Sequence, residues 1–401
     1  MIKAHLCVLW IVGVVLAMTS IQARAEVTIF VEAGEYDRVD TPLTVVVGTI
    51  GAEGATLVEV KGNQRVETPV QVDRVRASFV LSGRTPKGTR REFVLTSGAG
   101  KSAGGVEVKE DAKELVVACG GVNVLRYYHA AMQPPEGQDK KYARSGFIHP
   151  LWSPGGKVLT EIHPKDHIHH MGLWNAWTKT KFEGRDVDFW NLKDGKGLVR
   201  FVKFAGKTSG PVFGGFSAVQ EHVDLTSGAE KVVLNEVVDV KVWNAGKGSW
   251  LIDLTSAQKC VASSPLQLEA YRYGGLGFRG TSDWGMNNSD YLTSEGKTRK
   301  DGHGTRARWC NVGGETKAGP AGVEFMSHPQ NREHPEPMRI WPDGYIFFNF
   351  TPIQKTEWVM EPGKEYVLKY RMFVYDGTVT KETCERMWRD FGEPPAVKVE
   401  G

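Results

Sequence analysis

Short runs of apolar residues, often alternating with polar ones and bounded by Gly, Pro, Asn or Asp, recur along most of the chain. That period-two pattern is the signature of strands with one buried face. Before residue 105 it appears at 27–31 (VTIFV), 43–47, 77–81 and 92–95. Small residues then fill 97–105 (SGAGKSAGG), which reads as a linker or long turn. A small β-sandwich-like domain is therefore expected over 26–105. Strand patterns resume at 115–118, 122–127, 218–223, 250–254, 345–350 and 366–374, and 231–242 (KVVLNEVVDVKV) reads as one long half-buried strand. Many strands at short spacing, punctuated by 46 glycines, predict an all-β fold built on a large antiparallel β-sandwich over 106–401. One helix interrupts the pattern near the C-terminal end. Thr380 suits its cap, Glu382 and Glu385 its early turns, and Met387, Trp388 and Phe391 its apolar stripe, before Gly392 and Pro394-Pro395 stop it. It is expected to act as a terminal latch.

Composition changes this picture at few points. Hydrophobic residues make up 41% and charged residues 24%, ordinary values for a globular chain. A formal net charge of +3, with Lys and Arg scattered, gives no concentrated basic surface for nucleic acid. The N-terminus differs from the rest. Lys3, a nearly continuous apolar run from Leu6 to Met18, and Ala23-Arg24-Ala25 form a secretory signal pattern over 1–25. The run is shorter than a bilayer-spanning helix and no later segment is as apolar, so a secreted or periplasmic chain beginning near Glu26, with no membrane span, is expected. Beyond Cys7, Cys119, Cys260, Cys310 and Cys384 are left, either as disulfides or as buried thiols.

Candidate chemistry concentrates in 144–190. Five of the eleven histidines (His149, His163, His167, His169, His170) and four of the twelve tryptophans (Trp152, Trp174, Trp177, Trp190) lie there. On an extended strand His167 and His169 share a face and His170 takes the other. Asp166 is placed to hold one ring in a fixed tautomer if the backbone bends. His167, His169, His170 and Asp166 are thus candidate catalytic residues. His163, His167 and His169 are candidate ligands for a divalent metal, although the segment lacks a helical H-E-x-x-H pattern. Indole faces suit the C–H side of sugar rings, which nominates Trp174 and Trp177 for a substrate pocket, with core packing as the alternative. His149, Arg279, Arg306, His328 and Asn331, drawn from this segment and from polar patches at 269–309 and 327–345, are candidate binders of hydroxyl or carboxylate groups.

Several long motifs occur in order: HPLWSPGGKVLT, HPKDHIHHMGLW, VDFW, GTRARW, SHPQNREHPEPMRIWPDGYIFFNF and KYRMFVYDG. Over 115–377 the chain resembles the PmoA-like family, the so-called methane oxygenase PmoA family of exported bacterial proteins. The resemblance implies a β-sandwich, related to sugar-epimerase-like supersandwiches, and a link to polysaccharide use, with no settled activity. A membrane methane oxygenase needs several apolar spans, which the chain beyond residue 25 lacks. Three function classes follow. The first is a glycan hydrolase or lyase using the histidine cluster. The others are a non-catalytic glycan-binding module and a metal-dependent oxidoreductase.

Overall fold

The structure, a computed structural model, describes residues 26–49, 54–98, 100 and 104–401. The signal pattern at 1–25, and residues 99 and 101–103 of the small-residue stretch, lie outside the described residues. Antiparallel strands dominate, with a single α-helix among the described residues. None of their helices is long and apolar enough to cross a membrane.

The first described residues form a small sandwich of a five-stranded and a three-stranded sheet. Alternation explains its core: Val27, Ile29 and Val31 of one strand are fully buried, and they pack with Leu57, Phe79, Phe93 and Leu95. One partner comes from the far end of the chain. Ala396–Glu400 pairs antiparallel with Glu26–Glu32, so the last strand belongs to this sheet rather than to the large sandwich, as the 106–401 boundary had it. The large sandwich faces an eight-stranded sheet against a nine-stranded one, with a four-stranded sheet alongside, around one continuous core. Lys231–Trp243 is the long strand expected from its pattern, paired on both edges.

The helix spans Lys381–Gly392, and its Thr380 cap accepts a hydrogen bond from the Thr383 N–H at 3.2 Å. Its buried Met387, Trp388 and Cys384 pack against Trp309 and Met326 of the large sandwich. On its other side Asp390 accepts from Arg38 at 3.1 Å and Thr41 at 2.9 Å, both in the small sandwich. Apolar contact on one flank and an ion pair on the other make the helix the joint between the two units. The nine-stranded sheet matters most for function. Its inner side chains, such as Phe348 and Phe350, stack on Phe325 and Tyr370 of the facing sheet. Its outer row, including Trp174, Arg279, Arg339 and Phe347, is left to meet the loops that cross it.

Candidate functional site

The histidine segment crosses this outer face as a folded-back loop, not as the strand expected from its sequence. Ile162 and Met171 bridge its ends, and the His163 N–H donates to the His170 carbonyl at 2.9 Å. Between them two turns follow directly, closed by His167 N–H to Pro164 O at 3.1 Å and His170 N–H to His167 O at 2.9 Å. Pro164, which lacks an N–H, and His163, at φ +48°, prevent a continuous ladder. Consecutive turns align residues three apart. His167 and His170 therefore stack at 4.6 Å, and His169 stands edge-on to both. Gly172 brings the chain back to the sheet at φ +65°, where a Cβ would lie 2.4 Å from the Ile148 carbonyl.

The three rings descend from solvent to core. His170 is buried, stacked on Phe347 at 4.9 Å and packed against Trp174 at 5.1 Å. His169 is half-buried. His167 is outermost, 27% exposed, with its ring edge-on to Trp341 at 4.9 Å. Burial disfavours the charged imidazole. Desolvation, followed by the influence of His167 and Arg144, pushes His169 down to about 3. Desolvation, then His169 and His167, holds His170 well below the usual imidazole range. Both inner rings are neutral at pH 7.

Arg279, at the end of the strand Gly275–Arg279, organises the polar side of the cluster. Its guanidinium is 2% exposed and donates to both Asp166 oxygens, at 2.8 and 2.9 Å, in the forked geometry that suits a carboxylate. Its Nε reaches Glu161 at 3.3 Å, and its plane lies over the Tyr345 ring at 5.3 Å. Asp166 also meets His167 Nδ1 at 2.9 Å. The two carboxyl groups on this arginine differ in acidity. Partial burial raises Asp166, but the bonds from Arg279 and His167 and their charges outweigh it and hold the group down at about 2. At Glu161 burial wins over the pull of Arg279, and the group titrates above its usual range.

Several sequence candidates are placed elsewhere or differently. Trp177 is fully buried and donates to Gln258 at 2.7 Å, so it is a core residue rather than a pocket wall. Trp174 is also buried, wedged between His170 and Trp190, and supports the cluster from beneath. The proposed metal triad is not assembled: His163 Nδ1 bonds the Ile168 carbonyl at 2.8 Å, and no group of three His, Cys, Asp or Glu among the described residues is arranged to hold a metal ion. His149 bonds Thr160 at 2.9 Å on the sheet, and desolvation, with Arg126 and His163 nearby, pushes it down to about 4. Arg306 is tied to Glu333 and the Pro335 carbonyl, and is not among the groups that touch the histidine loop. His328 packs on Phe391 of the terminal helix, and buried Asn331 bonds Glu336 and the Lys369 backbone; both are structural.

Residues that sequence reasoning left out of the site complete it. Trp341 and Tyr345 supply the rings at its rim, and Tyr345 is 45% exposed. Glu161 supplies the second carboxyl, and Arg144 lies close enough to influence His169. The signal for the first two was the WPDGY turn directly after the strand Glu336–Ile340. Trp190 approaches the sheet closely because it meets Gly277, where a Cβ would come within 2.5 Å of the indole.

A family model of unknown function, DUF6807, matches residues 114–389, which hold most of the large sandwich, the histidine loop and most of the helix. The chain belongs to the DUF6807 family. No curated protein matches it in sequence. Among solved structures, this DUF6807 chain is similar to heparan sulfate lyase HepC from Pedobacter heparinus, at 11% identity and a TM-score of 0.30. A mutant of that lyase gives 10% and 0.33. The chain spans only 36% and 38% of those proteins, with 70% and 71% of itself covered. A TPR-domain containing protein from Parabacteroides distasonis follows at 10% identity and a TM-score of 0.17, with 90% of this chain and 57% of that one covered. Scores this low carry no functional argument.

Proposed function

We propose that this DUF6807 protein is an exported, PmoA-like carbohydrate-active enzyme, secreted or periplasmic, which cleaves a glycan as a hydrolase or lyase at the outer face of the nine-stranded sheet. The observation that carries the reading is the relay from Arg279 through Asp166 to His167. A carboxylate that titrates near 2 is an anion at pH 7 and only accepts hydrogen bonds. The His167 nitrogen facing it, Nδ1, must therefore carry the proton. In the neutral imidazole Nε2 then keeps the lone pair, on the most exposed ring of the cluster, and is the atom to abstract a proton. Glu161, whose carboxyl burial makes a weaker acid than usual, is the candidate for the complementary proton donor. Trp341 and Tyr345 offer ring faces to a sugar, the role first assigned to Trp174 and Trp177.

The test is a glycan screen on the full chain, with metal content measured on the same preparation. On a responsive glycan, His167→Gln is expected to lower turnover by at least about 100-fold while binding persists. Unchanged turnover in that variant removes the proposal. Saturable binding without product in the unsubstituted protein identifies a glycan-binding module instead.

A further inference from the structure

Past Trp341 the outer face continues into a corner where the cations Arg272, Arg339 and Lys355 gather around His303, whose own charged form burial disfavours. On the strand Glu336–Ile340 the buried Met338 and Ile340 point inward, so alternation turns Arg339 outward. Its guanidinium stacks on Trp341 at 4.8 Å and lies 3.1 Å from His303 Nε2. Arg272 covers Tyr271 and Tyr273 at 5.6 and 5.8 Å. Lys355 Nζ lies 3.9 Å from where a Cβ of Gly304, beside His303, would sit, and the neighbouring Gln354 donates to the Arg272 and Met338 carbonyls at 3.4 and 3.1 Å, which places the four groups in one neighbourhood.

Several arginines of this protein are matched by acids, Arg279 by Asp166, Arg308 by Glu385 and Arg371 by Asp253, and others such as Arg299 are held by backbone carbonyls. Among the described residues, Arg272, Arg339, Lys355 and His303 have no such ion-pair partner, and Arg339 Nε is buried with no hydrogen-bond acceptor. Gathering like charges costs free energy and concentrates positive potential on a small area. Stacking on aromatic rings fixes the guanidinium planes, so the corner is preorganised rather than merely solvated.

We propose that this corner, Arg272, Arg339, Lys355 and His303, binds the anionic group, carboxylate or sulfate, of an acidic glycan. The inference rests on the reading of His167 as the reacting end of the same face. Trp341 connects the two, in contact with both His167 and Arg339. The acidic unit of the chain then lies across one indole from the unit being cleaved. A nucleic acid fits less well, because the charge is confined to a corner and does not run as a stripe.

The test measures binding of the full-length protein to polygalacturonate, to dextran sulfate, to neutral dextran and to single-stranded DNA, at 50 and 300 mM NaCl. The expected result is binding to one acidic glycan over neutral dextran and over DNA, weakening as salt rises. Preference for polygalacturonate assigns a carboxylate, and preference for dextran sulfate assigns a sulfate. Arg339→Gln and Arg272→Gln should each weaken that binding about 10-fold with an unchanged melting temperature. Equal affinity for neutral dextran, DNA binding as tight as glycan binding, or both variants binding like the unsubstituted chain overturns the proposal. The two readings fail separately. Arg339→Gln weakening binding while His167→Gln leaves turnover intact keeps the subsite and removes the base. The reverse pattern removes the subsite alone.

Discussion

Replacing Asp166 with Asn keeps the shape of the side chain and removes its charge, which isolates the relay. In the folded protein the Asp166 carboxyl is held at about 2 against an ordinary 3.8. That difference corresponds to at most about 2.5 kcal/mol of stability at pH 7. Asp166 is 42% exposed, so solvent screening reduces the figure to about 1 kcal/mol. Arg279, almost wholly buried, keeps only Glu161 as a charged partner, which adds to the loss. A drop of about 1–2 kcal/mol is expected, read as a lower urea midpoint at pH 7 by tryptophan fluorescence. The sign with pH follows from the lowered pKa. The contribution is complete above about pH 4 and disappears only as pH falls through 2, so the difference between the two proteins is the same at pH 7 and pH 5. The amide also presents an N–H₂ to His167 Nδ1, favouring the other tautomer. Nitrogen NMR of the imidazoles should show the proton of His167 moving from Nδ1 to Nε2, and turnover of a responsive glycan should fall by about 100-fold or more. A variant with the original midpoint and the original His167 tautomer refutes the relay.

Acid should destabilise the protein well before carboxylates titrate. His149 and His169 are pushed down to about 4 and about 3 in the fold, so below about pH 6.5 the unfolded chain takes up protons that the folded one refuses. Each removes about 1.4 kcal/mol per pH unit between pH 6 and 4, and His169→Gln should flatten that slope in urea midpoints measured from pH 7.5 to 4.5. Asp390→Ala leaves the buried Arg38 without its carboxylate and should cost about 3 kcal/mol, seen as a lower melting temperature and faster proteolysis of the small sandwich; wild-type behaviour would show that the helix does not join the two units. Gly277→Ala sets a methyl against the rigid Trp190 indole and should cost about 1–3 kcal/mol, with an unchanged urea midpoint counting against that packing. Cys119, Cys260, Cys310 and Cys384 are free and buried, so four thiols should titrate after denaturation of a chain lacking residues 1–25, and reductant should leave the melting temperature unchanged.

Local pattern sufficed for the strands, the helix and its cap, because burial on one face and capping are decided by neighbours in sequence. It also located the histidine loop and the pairing of Asp166 with His167, which are adjacent residues. Side-chain depth is a different matter. Trp174 and Trp177 read as sugar platforms because an indole looks the same in sequence whether it lies under a sheet or on its rim, and only the packing of Trp190 and Gln258 put them inside. Two turns in place of a strand changed which imidazoles stack, since Pro164 and the left-handed His163 act on backbone geometry that an alternation rule ignores. Arg279, Glu161, Trp341 and Arg339 join the site from positions as far apart as 161 and 341, and the last strand crosses to the small sandwich. Such contacts are set by the order of strands in the sheets, a property of the whole chain that no short window of sequence contains.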